Sequence, residues 1–583
     1  MKITLSKTYI IHKPFLFFLF TFLSFGAHSQ VTPKRNYPKN YFIYPVQAKI
    51  GLAANFGELR PNHYHMGLDC RTDQAQNKNV LAAAEGYVAR VKIEPFGFGR
   101  AIYINHPNGL TTLYAHLNEF YPELEEYVNA QQYELQSWEV YLDIPEKKFS
   151  VKKGQFIAKS GNTGGSQGPH CHFEIRDTRI EKVLNPLLFG LPIADDVPPT
   201  IIRLAMYDRC LSTYSQSPKL FSLKKLPSGY TTTLPVITFN TDKISFGISA
   251  NDKVSGSSNP NGIYAATLYL DENPVSAFVL DSIGYNETRF LNAHIDYKTR
   301  AQGGPYIEHL SRLPGYPESV YRDITGNGVL EITDDSIHQV RIEVQDANGN
   351  TSNLNFKIKK GLIKENGRLT DSAKYYQQQE FHPGFVNIFE SEAMQMMFSP
   401  GDLYDSVSFI QTVKQNNAAN SYSDFFTAGS GLIPIHSYFI TRIKANQDVP
   451  ASLKDRMLMK RTWGSKTEIV KAVADGEWYT ASFRELGNFE LIADDEDPVI
   501  GGFSDNANLS KFSRIVFTPK DNQNEMKNFK AMLDGKWLKF TNDKGRSFIY
   551  NFDERCPRGY HELNVSIEDE AGNVANKIFH FIK

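Results

Sequence analysis

The chain has 583 residues, of which 41% are hydrophobic and 22% charged, so it is too long for one hydrophobic core and is expected to form about three to five domains. With 63 basic and 64 acidic residues its formal net charge is −1, which removes the electrostatic basis for a nucleic-acid partner. Four cysteines are too few for an array of disulfide-stapled domains, whereas 40 Phe, 30 Tyr, 40 Gly and 29 Pro are typical of a turn-rich, mainly β protein.

The first 29 residues (1–29) are interpreted as a secretory signal peptide. Three lysines precede a largely apolar run over residues 14–23, and the small residues Ala27 and Ser29 suit cleavage before Gln30. The run is too short to span a membrane, and no later run approaches about 18 apolar residues. We therefore expect an extracytoplasmic mature protein, periplasmic or secreted, without a transmembrane segment; a retained N-terminal anchor is the alternative.

Residues 36–192 alternate apolar and polar residues in short runs separated by glycine-containing turns, which predicts a meander of antiparallel strands. Within this domain, residues 119–150 are acidic and rich in tyrosine, and we interpret them as an insertion with some helical character. Because the insertion directly follows the His116 strand, it is expected either to cover a cleft or to form a surface hairpin. Its aromatic residues are Tyr121, Tyr127, Tyr133, Trp138 and Tyr141.

The remainder of the chain contains an internal repeat. Residues 193–198 recur as 492–498, and residues 338–358 align without a gap with 561–581. The second pair of segments has alternating strand patterns around an Asp-x-x-Gly-Asn turn, which predicts a hairpin. Segments with this opening and this closing hairpin resemble bacterial immunoglobulin-like sandwich modules.

The repeat predicts two β-sandwich modules of unequal length. The first covers residues 193–360 and is expected to carry a large insertion at 255–335, because its matching ends lie much further apart. The second covers residues 494–583. Between them, residues 361–493 are also rich in strand patterns and are predicted to form another β domain, in which no chemistry is apparent.

Histidines cluster in the first domain, where six of the 15 in the chain lie between residues 63 and 172. In an extended strand, side chains two residues apart share a face, so His170 and His172 can face one centre while Cys171 points away. His65 and Asp69 form a His-x-x-x-Asp pair. Two imidazoles and one carboxylate are the protein ligands of many catalytic zinc sites, which keep a fourth position for water.

Two further patterns carry weaker signals. The glycine-dense residues 160–169 lack the Gly-Lys-Ser/Thr ending of a phosphate-binding loop, so we interpret them as a tight, exposed loop that delivers the next strand to a cleft. Residues 323–328 with Asp334 imitate a calcium loop, yet they lack its acidic density and terminal Glu. An ordinary hairpin turn is the preferred interpretation there.

The motifs taken together resemble the lysostaphin-like zinc endopeptidases of bacterial cell-wall metabolism, over about residues 55–190. The resemblance implies an antiparallel domain of two sheets with an open groove, and a Zn²⁺ cofactor. By position it makes His65, Asp69 and His172 the metal ligands, and His116 and His170 an unligated catalytic pair. The motifs that carry it lie in residues 62–69, 105–109, 112–117, 151–155 and 161–176.

Zinc chemistry suggests roles for the unligated pair. We expect His170 to act as general base and His116 to stabilise the oxyanion, with the reverse assignment open. His63 competes with His65 for ligation, although the His-x-x-x-Asp register favours His65. His106 precedes a Pro-Asn-Gly turn and is expected to be structural.

Two cysteines adjoin the expected ligands. If Asp69 lies opposite His172 on antiparallel strands, then Cys70 falls opposite Cys171 and both side chains face away from the metal. They are expected to touch, either as a disulfide or as two packed thiols.

The resemblance implies a secreted zinc metalloendopeptidase whose partners are peptidoglycan stem or cross-link peptides. No Gram-positive sorting signal or basic wall-binding repeat is apparent, and the charge is near neutral. These features favour a Gram-negative envelope and a D,D-endopeptidase type of cut. The alternatives are a non-enzymatic regulator of another wall hydrolase and a protein-directed peptidase. The β modules are expected to position the peptidase on the wall or on an envelope protein.

Overall fold

The computed structural model describes residues 37–361, 378–523 and 526–583. The predicted signal peptide, residues 1–29, lies outside these ranges. No helix in the described part of the chain is long and apolar enough to cross a membrane.

Strands dominate the described residues, and the mainly β fold class is confirmed. Helices are confined to the 14-residue Pro122–Leu135 and the short Leu291–His294 and Tyr297–Ala301, apart from isolated 3₁₀ turns among the described residues. The strands assemble into several mainly antiparallel sheets spread along the chain, with parallel pairs at Gly229–Thr232, Ile237–Phe239 and Ala507–Asn508.

The first domain is organised around a large antiparallel sheet whose inner strands are hydrophobic. Val91, Ile104 and Phe173 are fully buried on these strands, so their burial fixes the position of the polar residues beside them. Ser150–Val151 pairs with Gly86–Ile93 outside the main path. In spatial order the main path is Leu52–Ala54, Leu68–Arg71, His170–Asp177, Leu110–Ala115, Arg100–Asn105, Gly86–Ile93 and Val140–Asp143.

A second, smaller sheet completes this domain and consists of Asn79–Leu81, Phe156–Ser160 and Leu117–Phe120. Its buried residues belong to the same hydrophobic core as those of the large sheet. The predicted two-sheet arrangement is therefore confirmed. A short hairpin of Leu59–Arg60 and His63–Tyr64 leads into the large sheet.

The insertion at residues 119–150 contains the Pro122–Leu135 helix followed by the edge strand Val140–Asp143. Pro122 suits the first turn, where its missing N–H costs no hydrogen bond, and Glu123 adds a favourable charge at the positive end of the helix. The predicted helical character is thus confirmed. Its aromatic residues are used in packing: Tyr121 and Tyr127 contact Phe149, while Tyr133 contacts Trp537 of the last module.

Two sheets form the first β-sandwich. One contains Lys219–Phe221, Thr200–Asp208, Lys243–Asn251 and Glu308–His309, with Leu330–Glu331 also paired to Lys243–Asn251. The other contains Leu223–Leu226, Gly229–Thr232, Thr351–Lys360, Ile337–Gln345, Ala265–Leu270, Asn273–Val279 and Tyr321–Asp323, with Ile237–Phe239 also paired to Thr351–Lys360. Phe246 and Phe356 meet between the sheets with ring centroids 5.1 Å apart, as expected for facing sheets that share a core.

The predicted insertion at residues 255–335 is only partly an insertion. Its strands Ala265–Leu270 and Asn273–Val279 belong to the sandwich, because Ala265–Leu270 pairs with Ile337–Gln345 of the repeat hairpin. Further along, Ser282–Ile283 pairs with Val183–Leu184 and so extends the sheet of the first domain. The two domains also share one continuous hydrophobic core.

The middle domain consists of two further sheets, in agreement with the strand-rich pattern of its sequence. The first contains Gln378–Phe381, Val407–Lys414, Phe425–Ala428, Gly487–Ala493, Met457–Trp463 and Lys466–Lys471. The second contains Asn387–Glu390, Met394–Phe398, Pro434–Lys444, Trp478–Glu485 and Val473–Asp475. Phe409, Phe439 and Phe483 are buried in their common core.

The C-terminal module is a smaller sandwich. Its main sheet contains Ala507–Asn508, Val574–Ile582, Tyr560–Asp569, Met526–Leu533 and Lys536–Trp537, and Arg514–Phe517 pairs with Phe548–Asn551 in the other sheet. Phe517 and Phe579 bring the two sheets together with ring centroids 5.3 Å apart. The hairpins predicted from the repeat are present in both sandwiches, Ile337–Gln345 with Thr351–Lys360 and Tyr560–Asp569 with Val574–Ile582.

The C-terminal module folds back onto the first domain. Gly164 N–H donates to Asp543 Oδ1 at 2.8 Å, and Lys544 Nζ donates to Ser166 O. Lys539 Nζ also donates to Gln132 Oε1, at 2.9 Å, on the insertion helix. The glycine-rich loop at residues 160–169 is therefore held by a module almost 400 residues further along the chain.

Candidate metal centre

Strand pairing brings the expected ligands together. The antiparallel register of Leu68–Arg71 with His170–Asp177 places Asp69 opposite His172 and Cys70 opposite Cys171. Side chains directly opposite each other point to the same face of a sheet. Asp69 and His172 therefore share one face, as the sequence analysis required.

Three side chains converge on one point. His65 Nε2 lies 2.9 Å from Asp69 Oδ1 and 3.0 Å from His172 Nδ1, while His172 Nδ1 lies 3.0 Å from Asp69 Oδ1. Donors bound to a tetrahedral zinc at about 2.0 Å lie about 3.3 Å from one another. The three atoms thus form one face of such a tetrahedron to within a few tenths of an ångström, and the residues present fit a metal ion.

Each ligand histidine is oriented through its other ring nitrogen. His65 Nδ1–H donates to Asn55 O at 2.7 Å, and His172 Nε2–H donates to Glu174 Oε1 at 3.0 Å. These bonds fix the tautomers so that His65 presents Nε2 and His172 presents Nδ1 to the common point. The orientation needed for metal binding is therefore present in the protein alone.

Glu174 is the residue that the sequence analysis missed. Its Oε1 also accepts from the Tyr285 hydroxyl at 2.5 Å, and its Oε2 accepts from Arg176 Nε at 2.7 Å. Burial would raise the pKa of Glu174, but the Arg176 charge and the hydrogen bond from His172 outweigh it and hold this pKa at about 2. Because Glu174 lies two residues after His172 on one strand, the strand period alone could have placed the two side chains on one face.

The carboxylate of the centre is strongly held in its ionised form. Burial would raise the pKa of Asp69, yet the His65 charge and hydrogen bonds from the His65, His170 and His172 rings in their protonated form outweigh it and keep this pKa well below its ordinary value. For His172, burial lowers the pKa, whereas hydrogen bonds to Asp69 and Glu174 raise it to about 9. A metal ion must therefore displace a proton from His172 when it binds.

The second histidine pair lies beside the ligands. The rings of His116 and His170 have centroids 4.8 Å apart, and His170 Nε2 lies 3.3 Å from Asp69 Oδ1. His116 Nδ1–H donates to Thr163 O and His170 Nδ1–H donates to Gly168 O, both at 2.8 Å. Burial, with the His170 and His172 charges, lowers the pKa of His116 to about 3.

The two remaining histidines of the cluster lie apart from this centre. His63 is exposed and donates from Nδ1 to Pro61 O at 2.8 Å, and it is not among the three residues whose ligand atoms converge. His106 is buried, donates from Nδ1 to Glu85 O at 2.7 Å, and has Nε2 2.8 Å from Thr112 Oγ1. Both placements agree with the sequence analysis, which favoured His65 over His63 and expected His106 to be structural.

The cysteine pair lies on the opposite side of the strands from the ligands. Cys70 and Cys171 are both fully buried, and both are free thiols in the structure. Burial, together with their mutual charge, raises the pKa of Cys70 well above its ordinary value, and burial does the same for Cys171. Of the two expected arrangements, the structure has the packed thiols.

The calcium-like pattern near residue 323 has its acidic residues engaged elsewhere. Arg312 Nη2 donates to Asp323 Oδ2 at 2.5 Å, and His338 Nε2 lies 3.2 Å from Asp334 Oδ1. The hairpin-turn interpretation is wrong as well, because Tyr321–Asp323 pairs with Asn273–Val279 in one sheet while Leu330–Glu331 pairs with Lys243–Asn251 in the other, so the segment connects two sheets.

An antiparallel two-sheet domain that brings two imidazoles and one carboxylate to a point, beside a second histidine pair, has the kind of arrangement that metallopeptidases use. Residues 63–133 match Peptidase family M23, within the part of the chain whose motifs carry the resemblance noted in the sequence. The matched segment includes His65, Asp69 and His116 and ends before the His170–Asp177 strand. Residues 378–494, which cover the described part of the middle β domain, match the Zu5-like domain.

Comparison with individual proteins finds similarity over about a quarter of this chain. An uncharacterized metalloprotease of Haemophilus influenzae is 31% identical over 163 residues, 26% of this chain and 28% of that protein. The DD-carboxypeptidase/endopeptidase Mpg of Neisseria meningitidis serogroup B is 31% identical over 128 residues, 22% of this chain and 23% of that protein. The similarity thus spans about a quarter of these relatives. The catalytic domain of lysostaphin from Staphylococcus simulans aligns with 22% identity and a TM-score of 0.18, covering 23% of this chain and 87% of that chain.

Proposed function

We propose that this chain is a zinc-dependent endopeptidase that hydrolyses peptide cross-links in peptidoglycan outside the cytoplasm. The observation that carries the proposal is the convergence of His65 Nε2, Asp69 Oδ1 and His172 Nδ1 within 3.0 Å of one another. His116 and His170 lie directly beside these atoms, where an acid–base pair is needed for hydrolysis.

The ligand set suits zinc because two imidazoles and one carboxylate leave one position open. Zinc, when bound, supplies a Lewis acid that polarises the scissile carbonyl and makes a water molecule more acidic. His65, Asp69 and His172 hold the ion. Asn55 and Glu174 keep the two ligand rings in the required orientation.

The unligated histidines move the proton. Because His170 Nδ1–H donates to Gly168 O, its Nε2 is the nitrogen that faces the centre, 3.3 Å from Asp69 Oδ1. With Asp69 engaged by the metal, this nitrogen would be the one that accepts a proton. We assign His170 as the general base that takes a proton from water and passes it to the leaving amine. His116 is fixed in the same way by Thr163 O. Its lowered pKa of about 3 makes the ring neutral in the resting protein, so we assign it a donor role at Nε2 only after it gains a proton as the oxyanion develops.

The class of substrate rests on the related proteins and on the charge of the chain. One relative bears the name DD-carboxypeptidase/endopeptidase. The formal net charge of −1 gives the chain as a whole no net electrostatic attraction to an anionic wall polymer. We therefore propose D,D cross-links of peptidoglycan as the substrate, and recognition through specific contacts with the peptide.

The proposal is tested with the zinc-loaded mature protein and purified dimeric muropeptides. Release of monomers, measured by chromatography and mass spectrometry, is the expected result. His172→Ala should abolish both zinc retention and release, whereas His170→Ala should abolish release and retain zinc. His63→Ala is the matched control, since His63 lies two residues from a ligand and is exposed; it should behave as wild type.

An intact, zinc-loaded protein that leaves both D,D-linked muropeptides and glycyl bridges uncut would overturn the proposal. Denatured secreted proteins offered beside sacculi separate a wall enzyme from a protein-directed peptidase. The two histidine roles are separated by comparing kcat of His116→Ala and His170→Ala, because loss of the base should be the more severe. A greater loss in His116→Ala would reverse the assignment.

A further inference from the structure

Outside the peptidase centre, the internal repeat brings three aspartates together twice. We propose that each β-sandwich binds one calcium ion at this cluster, where the module joins the domain that precedes it. In each cluster, one carboxylate oxygen from every aspartate lies within 4.8 Å of the others. The first cluster consists of Asp195, Asp252 and Asp346, and the second of Asp494, Asp521 and Asp569.

The first cluster is built on the turn of the repeat hairpin. Asp346 Oδ1 accepts from the backbone N–H groups of Asn348 at 2.9 Å and Asn350 at 2.8 Å. Asp346 Oδ2 accepts from Asn350 Nδ2 at 2.7 Å, and the same amide donates to Asp195 O at 3.2 Å. These bonds fix two of the three aspartates relative to each other without using their full acceptor capacity.

The second cluster repeats this construction at the aligned positions. Asp569 Oδ1 accepts from Gly572 N–H at 2.7 Å and Asn573 N–H at 2.8 Å. Asn573 Nδ2 donates to Asp569 Oδ2 at 2.7 Å and to Asp494 O at 3.0 Å. The same arrangement therefore occurs in two modules whose remaining sequences differ greatly in length.

Each cluster contains buried carboxylate oxygens without a hydrogen-bond partner among the described residues. Asp252 is 5% exposed and its Oδ1 has no partner, and Asp494 is 2% exposed and its Oδ2 has none. Asp521 Oδ1 is also unpartnered. Buried polar atoms in native proteins are almost always satisfied, so these oxygens call for a ligand that is not a protein donor.

The negative charge of the clusters is not balanced by basic side chains. In the described ranges, no Lys, Arg or His nitrogen forms a salt bridge with any of the six carboxylates. Burial, with the charges of Asp195 and Asp346, raises the pKa of Asp252 to about 7. Burial and the charges of Asp494 and Asp569 raise the pKa of Asp521 as well. A bound cation would remove this repulsion.

The chemistry of the ligand atoms indicates the type of cation. All the converging atoms are carboxylate oxygens, and hard cations such as Ca²⁺ prefer oxygen, whereas zinc sites favour nitrogen and sulfur. Calcium–oxygen bonds are about 2.4 Å long, so two oxygens bound to one ion lie at most about 4.8 Å apart. The separation within both clusters satisfies this limit.

The first cluster lies where the sandwich meets the peptidase domain. Asp252 pairs through its backbone with Asn261, and the loop between them contacts the first domain. Arg71 Nη2 donates to Ser257 Oγ at 3.3 Å, next to the strand position of Asp69. Asn55 exchanges two hydrogen bonds with Gly262, at 2.8 and 2.9 Å. An ion bound by Asp252 would fix the loop that holds Asn55.

The second cluster lies where the middle domain meets the C-terminal sandwich. Asp494 N–H donates to Arg456 O at 3.1 Å. Lys471 Nζ donates to Ala571 O at 2.7 Å, within the turn that carries Asp569. Each ion would thus tie a sandwich to its predecessor and order the junction.

The test uses the full mature chain, stripped of metal and reloaded with one equivalent of zinc. Calorimetric titration with CaCl₂ to about 10 mM covers the affinities known for extracellular calcium modules. We expect two Ca²⁺ ions per chain and an increase in Tm on addition of calcium. Asp252→Asn and Asp521→Asn should each weaken one site at least 10-fold and leave the other unchanged.

Asp196→Asn and Asp495→Asn are the matched controls. Each changes the aspartate directly after a cluster member; both residues are exposed, and Asp196 is hydrogen-bonded to Ser255. Both controls should keep two sites of wild-type affinity. If a cluster variant fails to fold, Tb³⁺ luminescence of the wild-type protein, displaced by Ca²⁺, counts the sites without any substitution.

The absence of saturable Ca²⁺ binding to the wild-type protein overturns the proposal. The same conclusion follows if Asp252→Asn and Asp521→Asn bind two ions as tightly as the controls. These results are independent of peptidase activity, so failure of this proposal and failure of the proposed function are distinguishable.

Discussion

The hydrogen bond from His172 to Glu174 is expected to strengthen metal binding, and Glu174→Gln tests this. Glu174 is fully buried, and its Oε1 accepts from His172 Nε2 at 3.0 Å. Glutamine has almost the same shape and keeps an oxygen acceptor, but it removes the negative charge that makes the ligand imidazole more basic.

The expected magnitude follows from two effects of losing this charge. Loss of such an outer partner typically weakens metal binding about 10- to 100-fold, which is about 1.4 to 2.7 kcal/mol. In addition, Arg176 is buried and donates to Glu174 Oε2 at 2.7 Å. Removal of the carboxylate leaves the buried guanidinium with only the exposed Glu181, 3.8 Å away, as an ionic partner, and breaking a buried pair typically destabilises a fold by about 3 kcal/mol.

Two measurements separate the effects. Zinc affinity is obtained by competition with a chromophoric chelator, and stability by denaturant unfolding of the metal-free protein. Glu181→Gln is the matched control, because Glu181 approaches the same Arg176 at 3.8 Å but its side chain is 55% exposed. It should leave zinc affinity unchanged. Wild-type zinc affinity in folded Glu174→Gln would refute the reasoning that this charge acts through His172.

Three further outcomes are expected. Burial lowers the pKa of His106 to about 4, so the neutral ring contributes fully to stability above a pH of about 6.5. The free energy of unfolding should fall by up to about 3 kcal/mol as the pH approaches 4. Denaturant unfolding between pH 7 and 4 should show a weaker pH dependence in His106→Gln, and equal slopes in the two proteins would contradict this. Cys210 alone of the four cysteines is exposed, so a thiol reagent should label one thiol rapidly in the native protein and four after denaturation; only two after denaturation would demonstrate a bridge. Asp543→Ala removes the acceptor of Gly164 N–H. It should lower kcat about 5-fold, which corresponds to one hydrogen bond of about 1 kcal/mol, and leave the zinc content unchanged. An unaltered kcat would show that this contact does not support the glycine-rich loop at residues 160–169.

Strand periodicity made much of the centre predictable from the sequence. The alternation in His170-Cys171-His172 indicated that both histidines share a face, and the resemblance added Asp69 as a ligand. On the supposition that Asp69 lies opposite His172, Cys70 was expected opposite Cys171, and the structure has this register. Local patterns suffice here because a one-residue shift would move every side chain to the other face.

Contacts between distant segments were not predictable in the same way. Tyr285 lies 111 residues after Glu174, and Gly262 lies 207 residues after Asn55. Neither residue belongs to a motif that signals its partner, because the pairing results from how two modules dock. The same limit explains why residues 255–335 were interpreted as an insertion, although two of their strands complete the sandwich.

The docked modules are part of the metal centre rather than appendages to it. In the first sandwich, Tyr285 is hydrogen-bonded to Glu174 and Gly262 to Asn55. Glu174 and Asn55 in turn orient the two ligand imidazoles. The C-terminal module holds Gly164, beside the carbonyl of Thr163 that orients His116. The orientation of the ligands and of the acid–base pair depends on groups from three modules. The rigidity of the contacts between these modules therefore controls the geometry of the centre. The first aspartate cluster lies where the first sandwich meets the peptidase domain, and the second lies where the C-terminal module meets the middle domain. Bound calcium would therefore act on the peptidase through the position of its supporting modules.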